Sequence, residues 1–214
     1  MRSQQNRPPF TMSRRRKTGI IILCLLTVVL LVWLDRSQIG RRWRLRPESQ
    51  EQKKAYDLEK YHGRTFTVVN VIDGDTIDID IPDGRYRHTR IRLLGIDAPE
   101  TDSEQFGVIY FGPEAAEFAK KLSLQKPVTV FLDIPNPTRD RYGRLLSYVK
   151  LPDKTFLNEI LLTEGFAYAD LRFRHSLYNK YRQLQAAARS GKKGLWQNVT
   201  RDQLPQWLQD REQM

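Results

Sequence analysis

Thr76-Ile77-Asp78-Ile79-Asp80-Ile81 alternates β-branched apolar and polar residues with a period of two. That period sends successive side chains to opposite faces of a strand. Upstream, Phe66-Thr67-Val68-Val69-Asn70-Val71 reads as a second strand, and Asp73-Gly74-Asp75 separates the two. Downstream, Asp83-Gly84 is a hairpin-turn pair, followed by strand-like runs at 88–96, 128–133 and 145–151. Helices fall between them. Pro113 suits a first helical turn, Glu114 suits its dipole, and Ala115, Ala116, Phe118, Ala119 and Leu122 form an apolar stripe. A second helix is expected over 157–164, ended by Gly165. A third is expected over 176–190, with Leu177, Tyr181, Leu184 and Ala188 on one face and Gly191 as its stop. Five strands with three helices, and no internal repeat, predict a small α+β barrel.

The chain has 214 residues, 40% of them hydrophobic, enough for one domain with a real core plus extensions. A single cysteine, Cys24, excludes an internal disulfide, and with three histidines it excludes a structural Cys/His zinc site. The net charge of +11 suggests nucleic acid or a membrane surface, yet its placement tells against the folded part. Residues 1–50 hold eleven Lys and Arg against Asp35 and Glu48, so the remainder is nearly neutral.

Within that basic end, Arg14-Arg15-Arg16-Lys17 precedes an uncharged run, 18–34, rich in Ile, Leu and Val. Its length fits the short end of a transmembrane helix, with Trp33 at the far interface. A cleaved signal peptide is the rival reading, but Asp35-Arg36-Ser37-Gln38 offers no small-x-small cleavage site. The contiguous charges at 14–17 favour the N-terminus inside and the main domain outside the cytoplasm. Residues 35–62 are polar and read as a spacer with one helical turn near its end.

Four short segments carry the chemistry. Asp73-Gly74-Asp75-Thr76 is either a positive-φ turn or a bulge that aims Asp75 inward. In Arg90-Ile91-Arg92-Leu93-Leu94-Gly95-Ile96-Asp97-Ala98-Pro99-Glu100-Thr101, Arg92 shares a strand face with Leu94 and Ile96, which costs free energy unless an anion meets it. Asp97 and Glu100 follow at the strand end, fitting a metal-plus-phosphate site or a surface ion-pair network. Asp140-Arg141-Tyr142-Gly143-Arg144 is a charged hairpin, or it gives Arg144 a phosphate to grip bidentately. Lys192-Lys193-Gly194-Leu195-Trp196 reads as a solvated basic loop with a packing tryptophan.

Together these segments resemble the staphylococcal nuclease (thermonuclease) family over about residues 64–197. The matches are collinear: Val-Ile-Asp-Gly-Asp-Thr at 71–76, Arg92 through Asp97 to Pro-Glu-Thr at 99–101, Gly-Pro-Glu-Ala at 112–115, Asp-x-Tyr-Gly-Arg at 140–144, Asn-Glu at 158–159 and Gly-Leu-Trp at 194–196. The resemblance implies a five-stranded OB-type β-barrel with three helices, here preceded by one N-terminal transmembrane helix. It implies a hydrolase, a Ca²⁺-dependent phosphodiesterase acting as an endonuclease. Asp75 and Asp97 would be carboxylate ligands of Ca²⁺, with the backbone carbonyl of Ala98 as a further oxygen. Glu100 would position or deprotonate the attacking water, and Arg92 and Arg144 would grip the phosphate. Arg141, Tyr142 and Phe173 are expected to touch the rest of the substrate.

Hard oxygen ligands suit Ca²⁺, and no histidine lies in these motifs to support a histidine-based mechanism. Two departures stand out. Leu171-Arg172-Phe173 keeps one aromatic where the family enzyme has a tyrosine pair, and Asp102-Ser103-Glu104-Gln105 replaces a lysine-rich loop. The first departure weighs against base stacking; the second, with the near-neutral domain charge, foresees weaker, more salt-sensitive capture of long polyanions. The expected organisation is a basic segment at 1–17, an anchor at 18–34, a polar linker at 35–62, the nuclease-like domain at 63–200 and a tail at 201–214. The expected partners are DNA or RNA as substrate and a membrane through 18–34, with the protein a monomer. The alternative is a tethered, non-catalytic OB-fold module that binds nucleic acid or protein.

Overall fold

The computed structural model describes residues 23, 25–30, 49–101 and 109–211. Helix α1 (Gln50–Tyr61) leads into strands β1 (Arg64–Val71), β2 (Thr76–Ile79), β3 (Thr89–Leu93) and β4 (Ile96–Asp97). Helix α2 (Gly112–Ser123) precedes β5 (Pro127–Phe131) and β6 (Leu145–Lys150), followed by α3 (Leu157–Thr163), β7 (Tyr168–Ala169) and α4 (Tyr178–Ser190). Two 3₁₀ turns, Gly194–Gln197 and Arg201–Gln203, and helix α5 (Gln206–Arg211) follow.

Five of the strands close into a barrel in the order β1-β2-β3-β6-β5, with β3 and β6 parallel and the other pairs antiparallel. The α+β class and the five-stranded barrel are as the periodicity foresaw. Ile77 lies opposite Ile91, and Ile91 opposite Leu145, so the inward row of each strand meets the same core. These three are fully buried, as are Val68, Ile79, Leu93, Val130 and Val149. Each such side chain is worth about 1.5–3 kcal/mol of transfer free energy. Helices α2, α3 and α4 pack outside the strands, with Ala115, Ala119, Leu157, Leu161 and Tyr181 turned to the same core.

Three expectations are corrected. The strand foreseen over 88–96 is two strands. Gly95 adopts φ +78 and turns the chain after β3, so β4 leaves the barrel and pairs with β7, Asp97 opposite Tyr168. Arg92 therefore does not continue along a face with Leu94 and Ile96; the turn brings Asp97 back to its guanidinium instead.

The segment 50–61, foreseen as polar spacer with one turn, is a 12-residue helix. Its apolar pattern is sparse because a buried ion pair anchors it. Asp57, 1% exposed, accepts hydrogen bonds from Thr138 Oγ1 at 2.7 Å and from Arg139 Nη2 at 2.7 Å. Arg139 also reaches Asp83 on the β2–β3 hairpin, and Tyr61 bonds Thr89 at 3.1 Å. The C-terminal stretch from 201, foreseen as a tail, folds back instead. Leu204 and Leu208 are buried with Tyr168, Ala188, Leu195 and Trp196 in a second apolar cluster.

Among the described residues no helix is long and apolar enough to cross a membrane. The span expected at 18–34 lies outside the described residues except for Leu23 and residues 25–30, which are helical with exposed apolar side chains.

Candidate active site

The β1–β2 connection is built on Asp73, whose Oδ1 accepts the Asp75 N–H at 2.9 Å. Gly74 in this turn needs space rather than positive φ. A β-carbon there would come within 2.6 Å of Ala98 Cβ and 2.9 Å of Ala115 Cβ. The missing side chain lets the turn, the segment after β4 and helix α2 meet. Asp75 is thereby buried: Oδ2 accepts the Ala98 N–H at 2.7 Å and pairs with Arg92 Nη2 at 3.0 Å, while Oδ1 accepts from Thr76 Oγ1 at 3.0 Å. Burial pushes its carboxyl well above the ordinary range. Arg92 opposes that, Asp73 and Asp97 reinforce it, and the Ala98 N–H opposes it.

Arg92, on β3, braces the site internally. Nη1 donates to the carbonyls of Leu93 at 3.0 Å and Ile96 at 2.6 Å; Nη2 donates to Asp97 Oδ1 at 2.7 Å. Both terminal nitrogens thus engage carbonyls and carboxylates of the chain itself. The carboxylates answer the question the sequence posed, of what anion meets a buried arginine.

Asp97 holds more partners than its motif suggested. Besides Arg92 on Oδ1, its Oδ2 accepts from Trp207 Nε1 at 2.8 Å and lies 3.3 Å from Arg172 Nη2. Arg172 is itself fixed by Asp170 at 2.8 Å, and its guanidinium lies 4.8 Å from the Trp207 ring centroid. Neither Arg172 nor Trp207 was foreseen as a site residue. Arg172 adjoins Phe173, which drew attention only for its ring, and Trp207 lies past the last family-like motif.

Glu100 follows Pro99 and is open to solvent on one side. Partial desolvation raises its carboxyl pKa first, Asp73 adds to the rise, Arg92 opposes it, Asp97 adds, and Arg144 opposes. Glu100 thus feels the charges of both Asp97 and Arg144. Gly112 fixes its backbone, since a β-carbon there would come within 2.0 Å of the Glu100 carbonyl oxygen. Arg144 precedes β6, whose parallel pairing sets Leu146 opposite Arg92. Asp140 accepts from Arg144 Nε at 2.7 Å and from the backbone of Tyr142 and Arg144.

Asp75, Arg92, Asp97 and Ala98 are therefore in direct contact, with Glu100 and Arg144 within electrostatic reach. Tyr142 is exposed, its ring 4.7 Å from Arg141 and 5.4 Å from Arg144. Phe173 is also exposed, beside Arg172. Residues 102–105 lie outside the described residues.

The model of the family described as "Staphylococcal nuclease homologue" matches residues 90–198. The chain belongs to the staphylococcal nuclease family. A thermonuclease of Staphylococcus hyicus is 38% identical over 147 residues, covering 68% of this chain and 83% of the relative. A thermonuclease of Staphylococcus intermedius is 34% identical over 185 residues, covering 84% and 96%. An "uncharacterized endonuclease" of Escherichia coli O157:H7 is 36% identical over 153 residues, covering 69% and 83%. The staphylococcal nuclease match takes in Arg92, Asp97, Ala98, Glu100 and Arg144; Asp75 and Trp207 fall on either side of it.

The residues fit the hard cation this family implies. Among the described residues no three His, Cys, Asp or Glu side chains are grouped to hold an ion; the carboxylates that the site does bring together are Asp75 and Asp97, joined through Arg92. Asp75 is a buried carboxylate whose charge is disfavoured where it stands, a position that a bound cation relieves. Every donor in the set is oxygen.

Proposed function

We propose that this protein is a membrane-tethered, Ca²⁺-dependent endonuclease that hydrolyses phosphodiester bonds of DNA or RNA. That it is a hydrolase of the nuclease class rests on its family. The observation that carries the calcium reading is the buried Asp75 carboxylate, coupled through Arg92 to Asp97 and backed by an all-oxygen set.

Asp75, Asp97 and the Ala98 carbonyl would hold Ca²⁺. Bound there, the ion supplies a Lewis acid for a phosphoryl oxygen and for the charge that develops on it. The chain's own groups do the rest. Glu100 orients the attacking water and accepts its proton, and its raised pKa brings it closer to a working base. Arg144, held at Nε by Asp140, presents its terminal nitrogens to the phosphate. Arg92 fixes Asp75 and Asp97 against each other, and its Nε–H is the part left for a phosphate. Tyr142 and Phe173, exposed beside arginines, offer faces to unstacked bases, while Arg141 lies at the rim.

The polybasic 14–17 and the uncharged run 18–34 support a single-pass anchor, with the N-terminus in the cytoplasm and the nuclease domain outside it, acting as a monomer. The test is digestion of supercoiled plasmid and of RNA with Ca²⁺, with Mg²⁺ and with chelator. Cleavage that requires Ca²⁺ and disappears in Asp75→Ala supports the reading. Undiminished hydrolysis in excess chelator would falsify it. Protease treatment of sealed, cytoplasm-in vesicles reports topology: protection of the domain until detergent is added agrees with it, and digestion without detergent overturns it.

A further inference from the structure

Asp97 stands on a two-residue strand whose partner strand, β7, is equally short. A carboxylate on so small a ladder needs other restraints to keep one orientation, and a metal-binding group must be held within roughly 0.5 Å of its working position. Arg92 restrains Oδ1. Oδ2 is restrained by Arg172 and, from 110 residues away, by the indole N–H of Trp207.

We propose that Trp207 is a positioning residue of the active site, and that the C-terminal segment 201–211 completes the site by orienting Asp97 for the cation. This rests on the calcium reading above. The helix that carries Trp207 is anchored chiefly by other side chains, although the Trp207 ring also packs against the second apolar cluster. Leu204 and Leu208 are the buried residues of this segment, and Trp207 is only half-buried. Gln203 closes a capping box with Thr200, and Gln209 Nε2 bonds the Leu204 carbonyl at 2.7 Å, so the segment is also shaped from within.

Trp207 spends its single hydrogen-bond donor on a carboxylate, a bond stronger than one between neutral groups. Its ring meanwhile carries the Arg172 guanidinium, the cation at Oδ2. Asp97, Arg172 and Trp207 therefore form a closed triangle in which each touches the other two. With two donors at Oδ2 and one at Oδ1, the acceptor capacity that remains lies mainly on Oδ1. The triangle thus chooses which oxygen of Asp97 is offered. Partners of this kind, one step removed from a metal, typically change affinity 10–100-fold when lost.

The test uses the full chain in detergent, with Ca²⁺ alone as the probe, titrated calorimetrically into the parent and W207F. Phenylalanine keeps a ring under Arg172 and removes only the N–H. W207F is expected to bind Ca²⁺ about 10-fold more weakly while its circular dichroism and melting temperature stay near the parent's. The parent's tryptophan emission is expected to change on Ca²⁺ binding, and that change to be lost in W207F. Equal Ca²⁺ affinity in the two proteins overturns the inference and leaves the calcium reading standing. A parent that binds Ca²⁺ with indifferent tryptophan emission also overturns it, whatever W207F does. A parent that binds no Ca²⁺ overturns the calcium reading, and the inference with it.

Discussion

Gly112 and Glu100 are in backbone contact: a β-carbon on Gly112 would lie 2.0 Å from the Glu100 carbonyl oxygen and 2.7 Å from its carbonyl carbon. Neither atom is the free end of a flexible side chain, so any larger residue at 112 must shift the main chain that carries Glu100. Gly112→Ala is therefore expected to lower the single-turnover cleavage rate by roughly 100-fold, the cost of about 1 Å of misplacement. Circular dichroism should show the barrel intact. Parental rates in Gly112→Ala would mean that Glu100 tolerates displacement and is not the base.

Asp57 joins α1 to the barrel through Arg139 and Thr138, with the carboxylate buried. Asp57→Ala leaves Arg139 without its main counter-charge, and breaking a buried pair from one side costs about 3–5 kcal/mol. Urea unfolding at pH 7 measures it. A change under 1 kcal/mol would show that α1 is dispensable to the barrel. Cleavage assayed well below the midpoint should be close to parental, because Asp57 touches none of the site residues.

These residues also show what was legible in advance. The meeting of Asp75 and Asp97 at Arg92 was readable because a buried arginine calls for counter-charge and the short, turn-rich segments beside it carry carboxylates. The barrel was readable because period-two alternation leaves a direct trace. Helix α1 was not, since its hold is one buried ion pair and the turn-completing Tyr61 rather than an apolar stripe. The break at Gly95 hid inside a run that looks continuous until positive φ turns it. Gly74 was noticed for the wrong reason: it allows close approach to Ala98 and Ala115, a tertiary fact no dipeptide rule contains. Trp207 left no local trace, because its partner is remote in sequence.

His175 gives the fold a pH dependence. Its imidazole is buried against Tyr148, Tyr178 and Tyr181; Nδ1 lies 2.9 Å from the Tyr148 hydroxyl. Desolvation lowers its pKa from 6.5, while the carboxylates of Asp133 and Asp170 oppose the shift without cancelling it. Above the unfolded value both states are neutral and the contribution is complete. Below it the unfolded chain binds a proton that the folded chain resists, so stability falls with pH until the folded pKa is passed. Denaturant midpoints from pH 7.5 down to 5 should decline, with part of the decline absent in His175→Gln. An identical slope in both proteins would remove His175 from the account.

The arginines separate by what they touch. Arg144→Lys keeps the charge but gives up the planar fork. Loss of one transition-state donor group costs about 10²–10³ in rate, or 2.7–4 kcal/mol. Its stability should change little, because Asp140 keeps its bonds to the backbone of Tyr142 and Arg144. Arg92→Lys should lose rate and stability together. A point ammonium cannot reach the Leu93 and Ile96 carbonyls and both carboxylates at once, and each buried acceptor left unpaired costs about 1–3 kcal/mol. Arg141→Lys should be mild in both, since Arg141 is exposed and bonds only the neighbouring Tyr142 hydroxyl at 2.6 Å among the described residues. Single-turnover rates paired with urea midpoints for the three variants test the ordering. If Arg144→Lys cleaves as fast as Arg141→Lys, Arg144 has no part in stabilising the phosphate. If Arg92→Lys loses rate with no loss of stability, Arg92 acts on the substrate directly and its bonds to Asp75 and Asp97 are secondary.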